Sequence, residues 1–161
     1  MRASRVYVAD CSLGKGLFAA EFIPAQSLIL ELRGPWLGRA QVAKLGAAAN
    51  YAIQVGPTTY FDPEPPGRYV NHSCNPNAGL QHDHLLIARV DIPAGQQICF
   101  DYSTTMSECW WTMQCRCGQP NCRTTVKDFH DLPYEVKSLY LREGVVQKFI
   151  VAEHQSKKLA S

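Results

Sequence analysis

The run "CRCGQPNC" constrains this chain more than any other stretch. It places Cys115, Cys117 and Cys122 within eight residues, with Gly118 and Pro120 bending the backbone between them. Three thiols at Cys-x-Cys-x4-Cys spacing are arranged for one metal ion, and thiolate ligands in a reduced compartment favour zinc, bound tetrahedrally. A closed structural zinc site takes four ligands, so the fourth must come from elsewhere in the chain. A distant segment therefore has to fold back onto this one. Cys74 is the preferred candidate, and Cys109 is the alternative nearer in sequence. Thiols left free by chance are the plain alternative for such a run.

The other cysteines say less. Seven is an odd number for a disulfide framework. The opening "MRASRVYVADCSLGKGLF" has no continuous apolar stretch of the kind a signal peptide needs. Reduced cysteines and an intracellular location, cytoplasmic or nuclear, are expected. Cys11, Cys99 and Cys109 stand apart and read as small buried hydrophobes. A length of 161 residues suits one domain with a real core. The net charge of +2, with basic residues scattered along the chain, is too small to argue for a nucleic-acid surface, and no direct nucleic-acid site is evident. Nothing reaches the roughly 18 consecutive apolar residues of a membrane span.

Along the chain a short echo recurs. "IPAQSLI" (Ile23–Ile29) and "IPAGQQI" (Ile92–Ile98) each lie between apolar runs, and both predict strand–turn–strand units. "NYAIQV" and "TTYFD", separated by Gly56-Pro57, predict a hairpin. Only "RAQVAKLGAAA" (Arg39–Ala49) and the C-terminal stretch have helical character. In the latter Asp131 is a candidate N-cap, Pro133 falls near the first turn, and Val136, Leu139, Tyr140, Val146, Phe149 and Ile150 form an interrupted apolar stripe. Many short strands and few helices predict a mainly β (α+β) domain ending in one helix.

The segment "RYVNHSCNPNAG" (68–79) is rich in turn formers and contains an Asn71-His72-Ser73 glycosylation triplet, a reading that the missing signal peptide removes. Gly14-Lys15-Gly16 follows a strand pattern, and its glycines let backbone approach a ligand, with a plain hairpin turn as the alternative. In "CFDY", Phe100 and Tyr102 are two apart and share one face, with Asp101 on the other. Ordinary strand packing would also explain them.

Taken together, "GKGLFA", "RYVNHSCNPN", "GQQICFDY" and "CRCGQPNC" resemble, in order and distance, the SET-domain protein lysine methyltransferases with a post-SET zinc motif. The resemblance covers roughly Val6 to Val126. It implies a β-clip fold of small curved sheets, in which the asparagine–histidine segment and the tyrosine strand meet in a knot-like threading. It further implies a SET catalytic domain over 1–106, a post-SET zinc segment over 107–127 and a helical extension over 128–161. S-adenosylmethionine is the implied methyl donor, and a lysine ε-amine of a protein or peptide, histone or other, is the implied acceptor. Lys15, Gly16, Leu17, Arg68, Asn71, His72 and Tyr102 carry over as cofactor contacts, and Tyr102 also as the active-site tyrosine. Phe100 carries over as a wall of the lysine channel, joined by Tyr51 as a further aromatic wall, and Cys74 as the fourth ligand of a structural zinc ion. A channel without a hydroxyl at Phe100 is expected to admit di- or trimethylation.

One position departs from the pattern. "ELRGP" puts Leu32 where the family often has a tyrosine, so a zinc-stabilised binding module with weak catalysis stands beside the enzyme reading. A cysteine hydrolase using Cys74 and a histidine is disfavoured, because no oxyanion-holding motif accompanies them.

Overall fold

The protein is described by a computed structural model over residues 5–159. Strand β1 (Val6–Cys11) pairs antiparallel with β2 (Gly14–Ala19), which opens on Gly14 at φ +98°. A Cβ on Gly16 would meet Gln97 Nε2 at 2.5 Å, so this glycine lets a crossing side chain lie flat on the strand. After the first prolyl turn comes β3 (Leu28–Glu31), then β4 (Trp36–Gly38), helix α1 (Arg39–Ala43) and a 3-10 helix, Gly46–Tyr51. The expected hairpin forms between β5 (Ile53–Gln54) and β6 (Thr59–Phe61), with Ile53 opposite Phe61 and Gln54 opposite Tyr60. A 3-10 turn (Gly67–Tyr69) leads into β7 (Asn71–His72), followed by β8 (Ala78–Gln81), β9 (Leu85–Ala88) and β10 (Gln97–Phe100). A two-stranded ribbon of β11 (Met113–Gln114) and β12 (Thr125–Val126) frames the cysteine run.

The two Ile-Pro-Ala echoes face each other. Ile23 and Ile92 form an antiparallel bridge, each N–H donating to the other's carbonyl at 2.9 Å, and both side chains are fully buried. Neither unit is a hairpin. Each prolyl turn carries the chain from one sheet to another: β2 pairs with β10 in the order β1-β2-β10-β7, while β3 pairs with β9 in the order β3-β9-β8. One apolar cluster, running from Val6 through Leu17, Ile23, Leu86 and Ile98 to Phe100, fills the space between these sheets.

The single terminal helix expected from the sequence is two helices, α2 (Tyr134–Glu143) and α3 (Lys148–Leu159). Gly144 at φ +67° ends α2 in the left-handed conformation that a C-terminal glycine adopts without strain. Asp131 does not cap α2; it closes a separate 3-10 turn, Phe129–Asp131, and Pro133 occupies the N-cap. The apolar stripe is inward-facing as expected, with Tyr140, Val146 and Ile150 buried against Phe129 and Leu132. Of the isolated cysteines, none is buried as a core residue would be: Cys109 is exposed, and Cys11 and Cys99 are half-buried. Cys109 sits on a loop at φ 68°, outside any strand. No helix among the described residues is long and apolar enough to cross a membrane.

Candidate active site and metal centre

Strand pairing builds the site. β7 runs parallel to β10, with Asn71 beside Cys99 and His72 beside Phe100. Asn71 and Cys99 line a cavity of about 280 Å³. Val70 and Phe100, one residue away in each segment, line a second cavity of about 360 Å³. His72 lines the smaller cavity with Asn71, so both cavities border this strand pair.

The smaller cavity is polar. Asn71, Asn75, Asn77, Gln97 and Gln119 bring amides to it, and Arg116 brings a cation. Asn71 Nδ2 donates to the Lys15 carbonyl at 3.0 Å, tying the Gly-Lys-Gly turn to the asparagine–histidine segment. Asn77 links the same region to β10, donating to the Gln97 carbonyl at 2.8 Å and accepting from the Cys99 N–H at 2.9 Å. Fixed amides plus one cation suit a ligand with a heterocycle and a carboxylate, as S-adenosylmethionine has.

The larger cavity is mostly apolar. At its floor the rings of Phe100 and Tyr102 lie 4.9 Å apart, and the Tyr102 hydroxyl donates to the Val70 carbonyl at 2.9 Å. Burial pushes the Tyr102 phenol well above its usual range, so it stays protonated and keeps that bond. Tyr102 N–H in turn donates to His72 Nδ1 at 3.1 Å. Burial pulls His72 down to about 4 despite Asp101 Oδ1 at 3.6 Å, leaving the imidazole neutral. With Nδ1 accepting, the proton is on Nε2, which faces Cys74 Sγ at 3.4 Å. One histidine thus joins the tyrosine turn to the cysteine cluster.

That cluster consists of Cys74, Cys115, Cys117 and Cys122, whose sulfurs all lie within 4.8 Å of one another. Cys109 is not in the group; its N–H is held by Asp128 Oδ2 at 2.5 Å. A zinc ion with Zn–S bonds of about 2.3 Å separates tetrahedral sulfurs by roughly 3.8 Å, and Cys74 and Cys115 stand 3.7 Å apart. The N–H groups of Arg123 and Thr124 point at Cys74 Sγ and Cys122 Sγ, both at 3.4 Å, as donors to thiolates do. Thr124 is held at φ 63°, a strained conformation for a β-branched residue. Burial pushes the Cys74 and Cys115 thiols up, so a cation is what would deprotonate them. The donor set fits zinc.

Arg68 does not join Asn71 and His72: its guanidinium pairs with Asp62 at 2.7 Å, lies 5.2 Å from the Tyr51 ring centroid, and lines the larger cavity. It precedes β7 on the 3-10 turn Gly67–Tyr69. The cation at the smaller cavity is instead Arg116, inside the cysteine run. Leu17 is fully buried in the core. Tyr51 does line the larger cavity. Leu32 is buried beneath Gly67 and belongs to the core cluster.

Sequence reasoning missed Asp101. Its side chain is fully buried and accepts from Arg123 Nη2 at 2.8 Å, Ser103 N–H at 3.0 Å and the Tyr140 hydroxyl at 3.1 Å. It thereby ties the turn carrying Tyr102 to the metal loop and to α2. The only available signal was a lone acid in an apolar strand. Trp110 and Trp111, at the rim of the larger cavity, carried no motif at all.

A family profile described as SET domain matches residues 14–103. The chain belongs to the SET-domain family of protein-lysine methyltransferases. Its curated relatives include histone-lysine N-methyltransferase set1 of Dictyostelium discoideum, 31% identical over 69% of this chain, and an H3 lysine-36 specific histone-lysine N-methyltransferase of Mycosarcoma maydis, 31% identical over 70%. The SET-domain chain spans only 8% and 13% of those proteins' lengths. Among solved structures, Arabidopsis thaliana SUVH6 in complex with SAM superposes with a TM-score of 0.62 at 22% identity, covering 76% of this chain and 32% of that one. A humanized mutant of the Chaetomium thermophilum Polycomb Repressive Complex 2 gives 0.55 at 22% identity, over 65% and 15%. At that identity the likeness establishes the SET fold alone.

Proposed function

We propose that this SET-domain protein transfers methyl groups from S-adenosylmethionine to a lysine ε-amine of a protein, histone or other, in the nucleus or cytoplasm. The observation that supports the reading is the pair of cavities bordering β7 and β10, one polar and one aromatic, with Phe100 and Tyr102 lining the second. The donor, held by Asn71, the Lys15–Gly16 backbone, His72 and Arg116, supplies an electrophilic methyl group. An acceptor lysine enters from the aromatic side. Amines attack only when neutral, and burial among Phe100, Tyr102 and Val70 disfavours the ammonium form. The Tyr102 hydroxyl, its proton engaged by the Val70 carbonyl, presents an oxygen that accepts from the amine and fixes its direction. Most of the rate gain is positioning.

Cys74, Cys115, Cys117 and Cys122 would hold a zinc ion, which would fix the loop that bears Arg116 and Arg123 and leave no open position for catalysis. Leu32 touches neither cavity, so the departure that favoured a non-catalytic module removes no cavity group. The test is mass spectrometry of histones and mixed cellular proteins incubated with the enzyme and S-adenosylmethionine bearing a deuterated methyl group. Lysines gaining labelled methyl groups are expected. Cofactor binding without label on any lysine would sink the proposal.

A further inference from the structure

The larger cavity is built for more than one lysine. A volume of about 360 Å³ lies in the range of roughly 300–1,000 Å³ that encloses a drug-sized ligand. One unbranched side chain reaching Phe100 and Tyr102 leaves the outer part unfilled. Besides Phe100 and Tyr102, the cavity is lined by Val42 and Ala43 of α1, Ala49, Met106, Trp110 and Trp111. Trp110 is 68% exposed. The Trp111 indole N–H donates to Asn50 Oδ1 at 3.3 Å, drawing the segment ahead of the cysteine run against the 3-10 helix after α1.

The charges around the cavity offer no net attraction to a basic occupant. Arg39, Arg68 and Glu108 line it. Arg68 is already paired with Asp62 at 2.7 Å and covers the Tyr51 ring, and Glu108 accepts from the Tyr60 hydroxyl. With Arg68 neutralised by Asp62, Arg39 and Glu108 are left to balance each other. An incoming arginine gains an indole face, but the one carboxylate on the lining, Glu108, is already offset by the cation Arg39.

We infer that the outer cavity takes a bulky apolar side chain (Leu, Met or Phe) within two residues of the target lysine, so that the substrate is a lysine in an apolar segment rather than an arginine-rich one. This rests on the methyl-transfer reading above. Burying the neighbouring side chain removes apolar surface of both partners from water, and in a hydrophobic pocket each methylene discriminates by about tenfold or more. The indoles of Trp110 and Trp111 are the specificity-determining groups.

The test uses peptides with a central lysine flanked by leucine, alanine or arginine. Methylation is followed by mass spectrometry. Binding is followed separately, by indole fluorescence in the Trp36→Phe background with S-adenosylhomocysteine present. Leucine-flanked peptides are expected to be preferred over alanine-flanked ones about tenfold or more in both measurements. Trp110→Ala and Trp111→Ala are each expected to shrink that preference toward unity. Equal use of all peptides, arginine-flanked peptides preferred, or no peptide binding would overturn the inference. Preferential binding of leucine-flanked peptides with no methylation would refute methyl transfer while upholding the apolar docking.

Discussion

Replacing Asp101 by Asn tests how the metal loop and α2 are coupled to the catalytic turn. The carboxylate is fully buried and its partner Arg123 retains 17% side-chain exposure. The amide of Asn keeps the shape and can still accept from the Ser103 N–H, but it leaves the guanidinium without its counter-charge. Removing one partner of a buried pair costs about 3–5 kcal/mol. The lower end, about 3 kcal/mol, applies here because water reaches part of Arg123. For a chain of this length each kcal/mol lowers Tm by about 2–4 °C, so a drop of roughly 6–12 °C is expected. The assay is thermal unfolding with zinc in excess, on the wild type, Asp101→Asn, Arg123→Gln and the double variant. Because the two groups touch, the double variant should lose less than the sum of the singles. Turnover of Asp101→Asn should also fall, since Asp101 caps the turn that begins at Tyr102. A Tm shift below about 2 °C, or strict additivity, would refute the coupling.

The chain should hold one zinc ion, and metal analysis of Cys74→Ser should show it lost together with stability, whereas Cys109→Ser retains it; the opposite pattern would overturn the ligand set. Asn71→Ala should weaken S-adenosylmethionine binding several-fold in calorimetry, at about 1 kcal/mol per lost hydrogen bond, and equal affinity for both proteins would remove Asn71 from the donor site. Wild type should reach di- or trimethyllysine under excess cofactor. Phe100→Tyr should shift product toward monomethyllysine by placing a hydroxyl in the cavity floor, and Tyr102→Phe should lower turnover about 10²-fold or more; a wild type that stops at monomethyllysine would contradict the channel argument.

Features under short-range control were legible before any fold was known. Three cysteines within eight residues announce a metal site because loop closure over so few residues costs little. The Ile-Pro-Ala echoes announce two turns because proline presets its own φ. The spacing of Phe100 and Tyr102 put both on one cavity floor even though β10 ends at Phe100, since Asp101 continues the extended backbone at φ −86° and ψ 112°. The break between α2 and α3 was also in the sequence, at Gly144, where an interrupted apolar stripe passed for one helix.

Tertiary structure decided which distant groups meet. Cys74 rather than Cys109 completes the thiol cluster because β7, paired in register with β10, carries Cys74 toward the cysteine loop, while Asp128 holds Cys109 on its own loop. The fold likewise puts Arg68 at the aromatic cavity and leaves the polar one to Arg116. Shifting a strand by one residue exchanges its two faces. Local periodicity lists which residues share a face, and only the pairing of strands far apart in sequence says which cavity that face meets.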